Sequence, residues 1–286
     1  WLKTPPAQEP SPSRRAPGID PPHRPMAVYA VIGARGGTGR EVVRRLVERP
    51  ASEVAEIRAL VRSTAEVPED AWPKDERVKP MCGDVEKPET LREGLAGAQF
   101  VVYAASGKSY QQCVNVDQDG VKAVADLCKE CGAQRLLLVS SQLVHPANKY
   151  NLVRGFINTI VTGPFSRKGI MDFKFVGEEL LRKSGQEYVI VRPGRLVDGP
   201  LGVAKPCIDQ TNGQFMKASK STRADVAAIC VAALHAPGAA NTTFEMASAE
   251  PAEKADPELV KVSDDFFASL SAEFDNDWAK DMKAVA

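Results

Sequence analysis

The stretch "VIGARGGTGREVVRRL", residues 31–46, carries a glycine at every third position, Gly33, Gly36 and Gly39. The apolar run "AVYAVI" at 27–32 leads into it, and helix-type periodicity follows over 38–49. If the run is a strand and the periodic segment a helix, each glycine has its own physical task. Gly33 permits the tight turn, Gly36 lets backbone N–H groups approach a diphosphate, and Gly39 lets helix and strand pack closely. Gly37 and Thr38 complete the loop where the helix N-terminus offers free N–H donors and the positive end of its dipole to an anion. A glycine pattern alone is weak evidence. Its weight comes from the strand before it, the helix after it and a further strand about 25 residues on.

Outward from the loop, short runs rich in aliphatic and β-branched residues predict strands at 27–32, 56–61, 77–82, 100–104, 135–140 and 187–192. Helical periodicity fills the gaps at 38–49, 88–96, 115–131, 173–184 and 223–235. Such alternation implies right-handed crossovers and a parallel sheet covered on both faces, a doubly wound α/β Rossmann-like domain over 26–248. Residues 1–25 are proline-rich and poor in apolar side chains, which predicts a disordered leader with weak transit-peptide character. Residues 249–286 hold ten Asp and Glu against four Lys. In this acidic tail Phe267, Leu270, Phe274 and Trp278 recur behind Ser263 at helical spacing, predicting an amphipathic helix that packs on the domain or meets a protein partner.

The 286 residues carry 37 basic and 37 acidic side chains, so no global field favours nucleic acid or an anionic membrane. No apolar run approaches the roughly 20 residues that span a bilayer. The six cysteines are scattered, and "CKEC" at 128–131 closes a predicted helix without a second pair. Reduced thiols and no metal are therefore expected.

The end of the second strand bears on which dinucleotide the loop would hold. A ribose with two free hydroxyls usually meets an Asp or Glu there, whereas this chain reads "ALVRST", with Arg62 and no acid from Ala59 to Ala65. Arg35, inside the glycine loop, is a second cation aimed at the same ribose. Guanidinium forks suit a phosphate dianion, so the pair points to NADP(H).

These motifs, with "GDVEKPETL" at 83–91, "VDQDGVKAVADLCKECGAQRLLLVSS" at 116–141, "KFVGEELLRKSGQEYVIVRPGRL" at 174–196 and "STRADVAAICVAAL" at 221–234, resemble the short-chain dehydrogenase/reductase superfamily. The likeness is to its atypical, NmrA-like NAD(P)-binding branch, plant plastid members included, and covers about 27–247. The resemblance implies that Asp84 and Val85 lie beside the adenine and that Ala104, Ala105 and Ser106 line the cofactor. It puts Ser141, or its neighbour Ser140, at the active-site serine position. Lys174 matches the lysine on the nicotinamide ribose, and Arg192, Pro193 and Gly194 match the loop beside the nicotinamide. Arg223 and Asp225 match a motif read as an arginine–carboxylate pair fixing a helix start. A plastid location is implied as well, with the cytoplasm as the alternative.

One departure matters. Ordinary members place a tyrosine four residues before the lysine, where it exchanges a proton with the substrate; here that position is Ile170. Tyr150 to Arg154 is a chance match, because arginine does not replace that lysine. Two functions therefore stand open. One is an oxidoreductase acting on a small quinone-like or carbonyl acceptor, with Ser141 and Lys174 as its catalytic residues. The other is a non-catalytic NADP(H) sensor or scaffold. Residues 143–172 and 198–220 are expected to wall any acceptor site.

Overall fold

Alternation along β1 (Ala27–Ile32) sends Tyr29 and Val31 to one face of the sheet and Ala30 and Ile32 to the other, and all four are buried. A strand dry on both faces needs helices on both sides, and the computed structural model, which describes residues 26–212, 220–251 and 254–272, supplies them. The elements run β1, α1 (Gly37–Val47), β2 (Val54–Val61), β3 (Val78–Cys82), α2 (Arg92–Leu95), β4 (Phe100–Tyr103), α3 (Tyr110–Gln112), α4 (Gly120–Glu130) and β5 (Arg135–Val139). They continue with α5 (Leu152–Thr162), α6 (Ile170–Lys183), β6 (Tyr188–Pro193), β7 (Arg195–Val197), β8 (Ala204–Asp209), β9 (Lys220–Thr222), α7 (Arg223–His235) and β10 (Thr242–Pro251).

Eight strands form one sheet in the order β3-β2-β1-β4-β5-β6-β10-β8, parallel throughout except that β8 runs antiparallel to β10. In register, Ile32 sits between Leu60 of β2 and Tyr103 of β4. One core layer packs Tyr29 and Val31 with Val42, Val43 and Leu46 of α1 and Val226 and Ile229 of α7. The opposite layer packs Ala30 and Ile32 with Val121, Val124 and Leu127 of α4 and Leu181 of α6. The doubly wound α/β architecture is thus present, with all six expected strands within two residues of their predicted ends.

The departures have local causes. β8 and β10 are additional strands, and β10 crosses the boundary drawn at 248. A buried charge, Glu245, interrupts its apolar pattern. The helix expected over 173–184 begins at Ile170, because Asp172 reaches back to accept the Gly169 N–H at 2.7 Å. The helix expected over 115–131 is composite: α3 runs through a π-helical segment, Cys113–Asp119, into α4. In the acidic tail the described residues form single 3₁₀ turns, Pro257–Val260 and Asp264–Phe267, in place of the start of one helix, and Ser263 makes no side-chain cap. Phe267 is buried against Phe244 all the same. Phe274, Trp278 and the leader 1–25 lie outside the described residues.

Candidate functional site

The strand order reverses direction between β1 and β4, and in an open α/β sheet that reversal opens a crevice beyond the carboxyl ends of the strands. There the structure has a cleft of about 300 Å³ lined by the ends of β1 to β4. It brings together Gly33, Arg35, Gly36, Arg62, Asp84, Val85, Ala104, Ala105 and Ser106, nine of the residues singled out in the sequence. Gly33 has φ +75°, and a Cβ there would stand 2.8 Å from the Ala105 nitrogen. A Cβ on Gly39 would overlap the Gly33 carbonyl oxygen, so helix and loop close on each other only without side chains. Gly36 is the N-cap of α1, and the first-turn N–H groups of Gly37, Thr38 and Gly39 have no acceptor within the helix. Buried Trp72 fixes the turn from behind by donating its indole N–H to the Ala34 carbonyl at 3.1 Å. Bare backbone, free donors and a cleft of this size fit a dinucleotide diphosphate.

At the outer end of the cleft Arg62 is exposed and makes no ion pair among the described residues. Arg35 is engaged: its Nη1 lies 2.9 Å from Glu66 Oε2, and both side chains are largely exposed. Glu66 stands one residue beyond the acid-free window of the sequence and reaches the cleft because the chain turns back after β2. An anion arriving here meets Arg62 directly and competes with Glu66 for Arg35.

Toward the middle of the sheet, Ser106 connects the cleft to Lys174 through Asp117. Ser106 Oγ donates to Asp117 Oδ1 at 3.0 Å, Gly107 N–H donates to Oδ2 at 2.8 Å, and Lys174 Nζ lies 2.7 Å from Oδ1. Asp117 is almost wholly buried and sits in the π-helical segment, where the wider turn carries it inward. Sequence reasoning missed it. The available signal was an acid sharing an inward stripe with Val121 and Val124 at helical spacing. Lys174, Ser140 and Asp117 line a narrow seam of about 10 Å³. Ser141 follows β5 half-buried, and Ile170 is buried with Met171, Phe173, Phe175 and Val144.

One expectation is corrected, the pairing of Arg223 with Asp225, and several other residues singled out in the sequence have structural partners. Arg192 does not face the cleft. It is buried, clamping Glu178 through Nε and Nη2 at 3.0 and 2.5 Å, while Nη1 donates to Asn212 at 2.9 Å. Ser140 likewise donates to Glu178, at 2.5 Å. Pro193 is buried at the end of β6, and Gly194 donates its N–H to the Met246 carbonyl at 3.1 Å, so both continue the packing of β6 on β10. Arg223 and Asp225 do not pair with each other. Arg223 binds Asp198 at 2.8 Å and packs over Gly37, while Asp225 accepts the Gly202 N–H and has its own N–H capped by Thr222.

The charges behind β6 set each other's ionisation. Burial pushes the Glu178 carboxyl up, but Arg192, Arg182 and Ser140 outweigh it and hold the group below its usual value. Glu179, paired at 2.6 Å with Arg182, is pushed up to about 7, chiefly by burial. Arg154, by contrast, is buried and donates to the carbonyls of Leu143, Val144 and His145 and to Asp172. It holds the loop after β5, while Tyr150 points into solvent.

Sheet order, glycine turn and cleft together define a Rossmann-fold NAD(P)-binding protein. The chain belongs to the NAD(P)H-binding family, whose sequence profile matches residues 33–237. It is similar to the protein high chlorophyll fluorescence phenotype 244, chloroplastic, of Arabidopsis thaliana, with 28% identity over 196 residues, 68% of this chain and 43% of that one. It is also similar to the photosystem II assembly factor Ycf39 of Cyanophora paradoxa, with 27% identity over 183 residues, 63% of this chain and 49% of that one. The chain thus spans about half the length of these relatives. Among solved structures, a short-chain dehydrogenase/reductase of Veillonella parvula in complex with NADP superposes with a TM-score of 0.59 at 18% identity, over 78% of this chain and 94% of that one. The oxidoreductase ylbE of Lactococcus lactis superposes at 0.63 with 18% identity, over 79% and 92%. These likenesses show the shared fold.

Proposed function

We propose that this chain is an atypical, NmrA-like short-chain reductase that prefers NADP(H) and reduces a small quinone-like or carbonyl acceptor without a catalytic tyrosine. The observation that carries the cofactor preference is Arg62, exposed at the lip of the cleft with no ion pair among the described residues. The loop from Gly33 to Gly39 holds the diphosphate, Asp84 and Val85 bound the adenine, and Ala104, Ala105 and Ser106 support the strand end between the two nucleotide halves. When bound, the reduced cofactor supplies hydride. Lys174, oriented by Asp117, positions the nicotinamide ribose. Ser141 delivers a proton or passes one from water. The chloroplastic relative of Arabidopsis thaliana supports a plastid location.

A second reading, an NADP(H) sensor or scaffold without turnover, is favoured by Ile170. An apolar core residue fills the tyrosine position, and Lys174 is spent on Asp117. Mixing the protein with NADPH and a panel of quinones and carbonyls decides between them. Loss of NADPH absorbance with at least one acceptor, reduced in Lys174→Ala, is the expected result. Tight NADPH binding with no loss against any acceptor overturns the reductase and leaves the sensor.

A further inference from the structure

The chain is neutral as a whole, yet one surface is not. From residue 131 to residue 171 there is no Asp or Glu. Within that span lies α5, and six large apolar side chains on or beside it face solvent: Tyr150, Leu152, Val153, Phe156, Ile160 and Phe165. Leu152 is 90% exposed and Phe165 98%. At about 100° per residue, Leu152, Phe156, Ile160 and Val153 fall within one stripe about 100° wide. Arg154, Ile157 and Val161 turn toward the domain, where Ile157 and Val161 pack on the cluster around Phe173. The helix is therefore apolar on the face that should be polar. A contiguous exposed apolar patch marks an interaction site.

Its flanks indicate the occupant. Lys149 stands before α5 over the Tyr150 ring, at 5.0 Å from its centroid, and Arg167 and Lys168 follow it. None of the three forms an ion pair among the described residues. Eleven residues make a helix of about 16 Å, far too short for a hydrocarbon core of about 30 Å, so the helix can lie in a membrane surface but not cross it. Two copies stacked through this face would bring like charges together with no acid in the segment to offset them. An apolar stripe with aromatic rings and cationic flanks is the composition of an interfacial helix.

We propose that α5 with its flanks is a membrane-docking surface that seats this chain on an anionic lipid bilayer. Its apolar stripe enters the acyl boundary, and Lys149, Arg167 and Lys168 meet the lipid phosphates. This stands independently of whether the protein turns over.

The test is co-sedimentation of the full chain with vesicles of phosphatidylglycerol and phosphatidylcholine in equal parts, against vesicles of phosphatidylcholine alone. Partition into the anionic vesicles is expected, weakened by added salt and lowered at least about tenfold by the paired change Phe156→Asp, Ile160→Asp. Both side chains are exposed, so the variant should keep its melting temperature and NADPH affinity. If it loses either, Lys149→Glu with Arg167→Glu, outside the helix, serves instead and should lower anionic partition alike. No partition into anionic vesicles overturns the proposal, and so does partition that neither variant changes. Light scattering that shows a dimer broken by the paired change, without vesicle binding, assigns the face to self-association and also overturns it.

Discussion

Gly33→Ala is expected to weaken NADPH binding by at least about 100-fold, a loss near 2.7 kcal/mol. Two effects add. Gly33 holds φ +75°, which costs a residue with a Cβ about 1–3 kcal/mol. The new methyl would also stand 2.8 Å from the Ala105 nitrogen and 3.0 Å from the Ala104 carbonyl carbon and oxygen, all backbone atoms that cannot rotate away. The loop must shift, and each N–H it withdraws from a charged phosphate forfeits about 1.5–3 kcal/mol. Gly97→Ala is the control. It has φ +69° but no atom within 4 Å of the added carbon, and it lies outside the cleft. It should lose some stability and no affinity. Calorimetric titration and thermal denaturation of both variants read the difference; wild-type NADPH affinity in Gly33→Ala would contradict this account of the loop.

The second large effect lies outside the cleft. Arg192→Leu removes the bidentate partner of Glu178, whose side chain has no solvent exposure, and should destabilise the fold by about 3–5 kcal/mol near neutral pH. The pH dependence has a definite sign. In the wild-type protein the arginines hold the Glu178 pKa below its unfolded value of 4.5, so the pairing stabilises above that value and fades as pH falls through the folded one. In the variant burial gains ground and raises the pKa. Folding then favours the protonated acid. The deficit should therefore begin to shrink above pH 4.5, as pH falls through the raised pKa, and shrink further below it as the wild-type pairing fades. Denaturant unfolding at neutral and acid pH measures both. Glu178→Leu combined with Arg192→Leu should recover part of the loss, because Glu178 no longer stands uncompensated, while Arg182 and Glu245 each lose one partner. A neutral-pH loss below about 1 kcal/mol would contradict the assignment of Arg192 to the buried cluster.

What could be read in the sequence was what short-range pattern encodes. The glycine loop between a dry strand and a helix is legible because turn, donor array and packing are all written within sixteen residues. Arg62 is legible because its place follows from the end of a strand. Asp117 and Glu178 were not, since each draws its meaning from a partner tens of residues away: Lys174 for one, Ser140 and Arg192 for the other. It is family resemblance that puts Arg192 in the loop beside the nicotinamide. Which face of β6 it takes, and that Glu178 waits there, depend on how α6 packs. Glu66 escaped for a smaller reason, a chain reversal that returns it to the cleft one residue past the strand end's expected reach. Glu245, inside β10, broke the apolar pattern and hid a core strand.

This cleft is expected to take NADP(H) in preference to NAD(H) through the cation at the end of β2. Calorimetric titration of NADPH and of NADH into the wild-type chain and into Arg62→Ala tests it most directly. The account predicts NADPH at least about tenfold tighter in the wild type, a difference of only about 1.4 kcal/mol. In Arg62→Ala that preference should largely vanish while NADH affinity holds. Equal affinities in the wild type, or a preference that survives in Arg62→Ala, would contradict it.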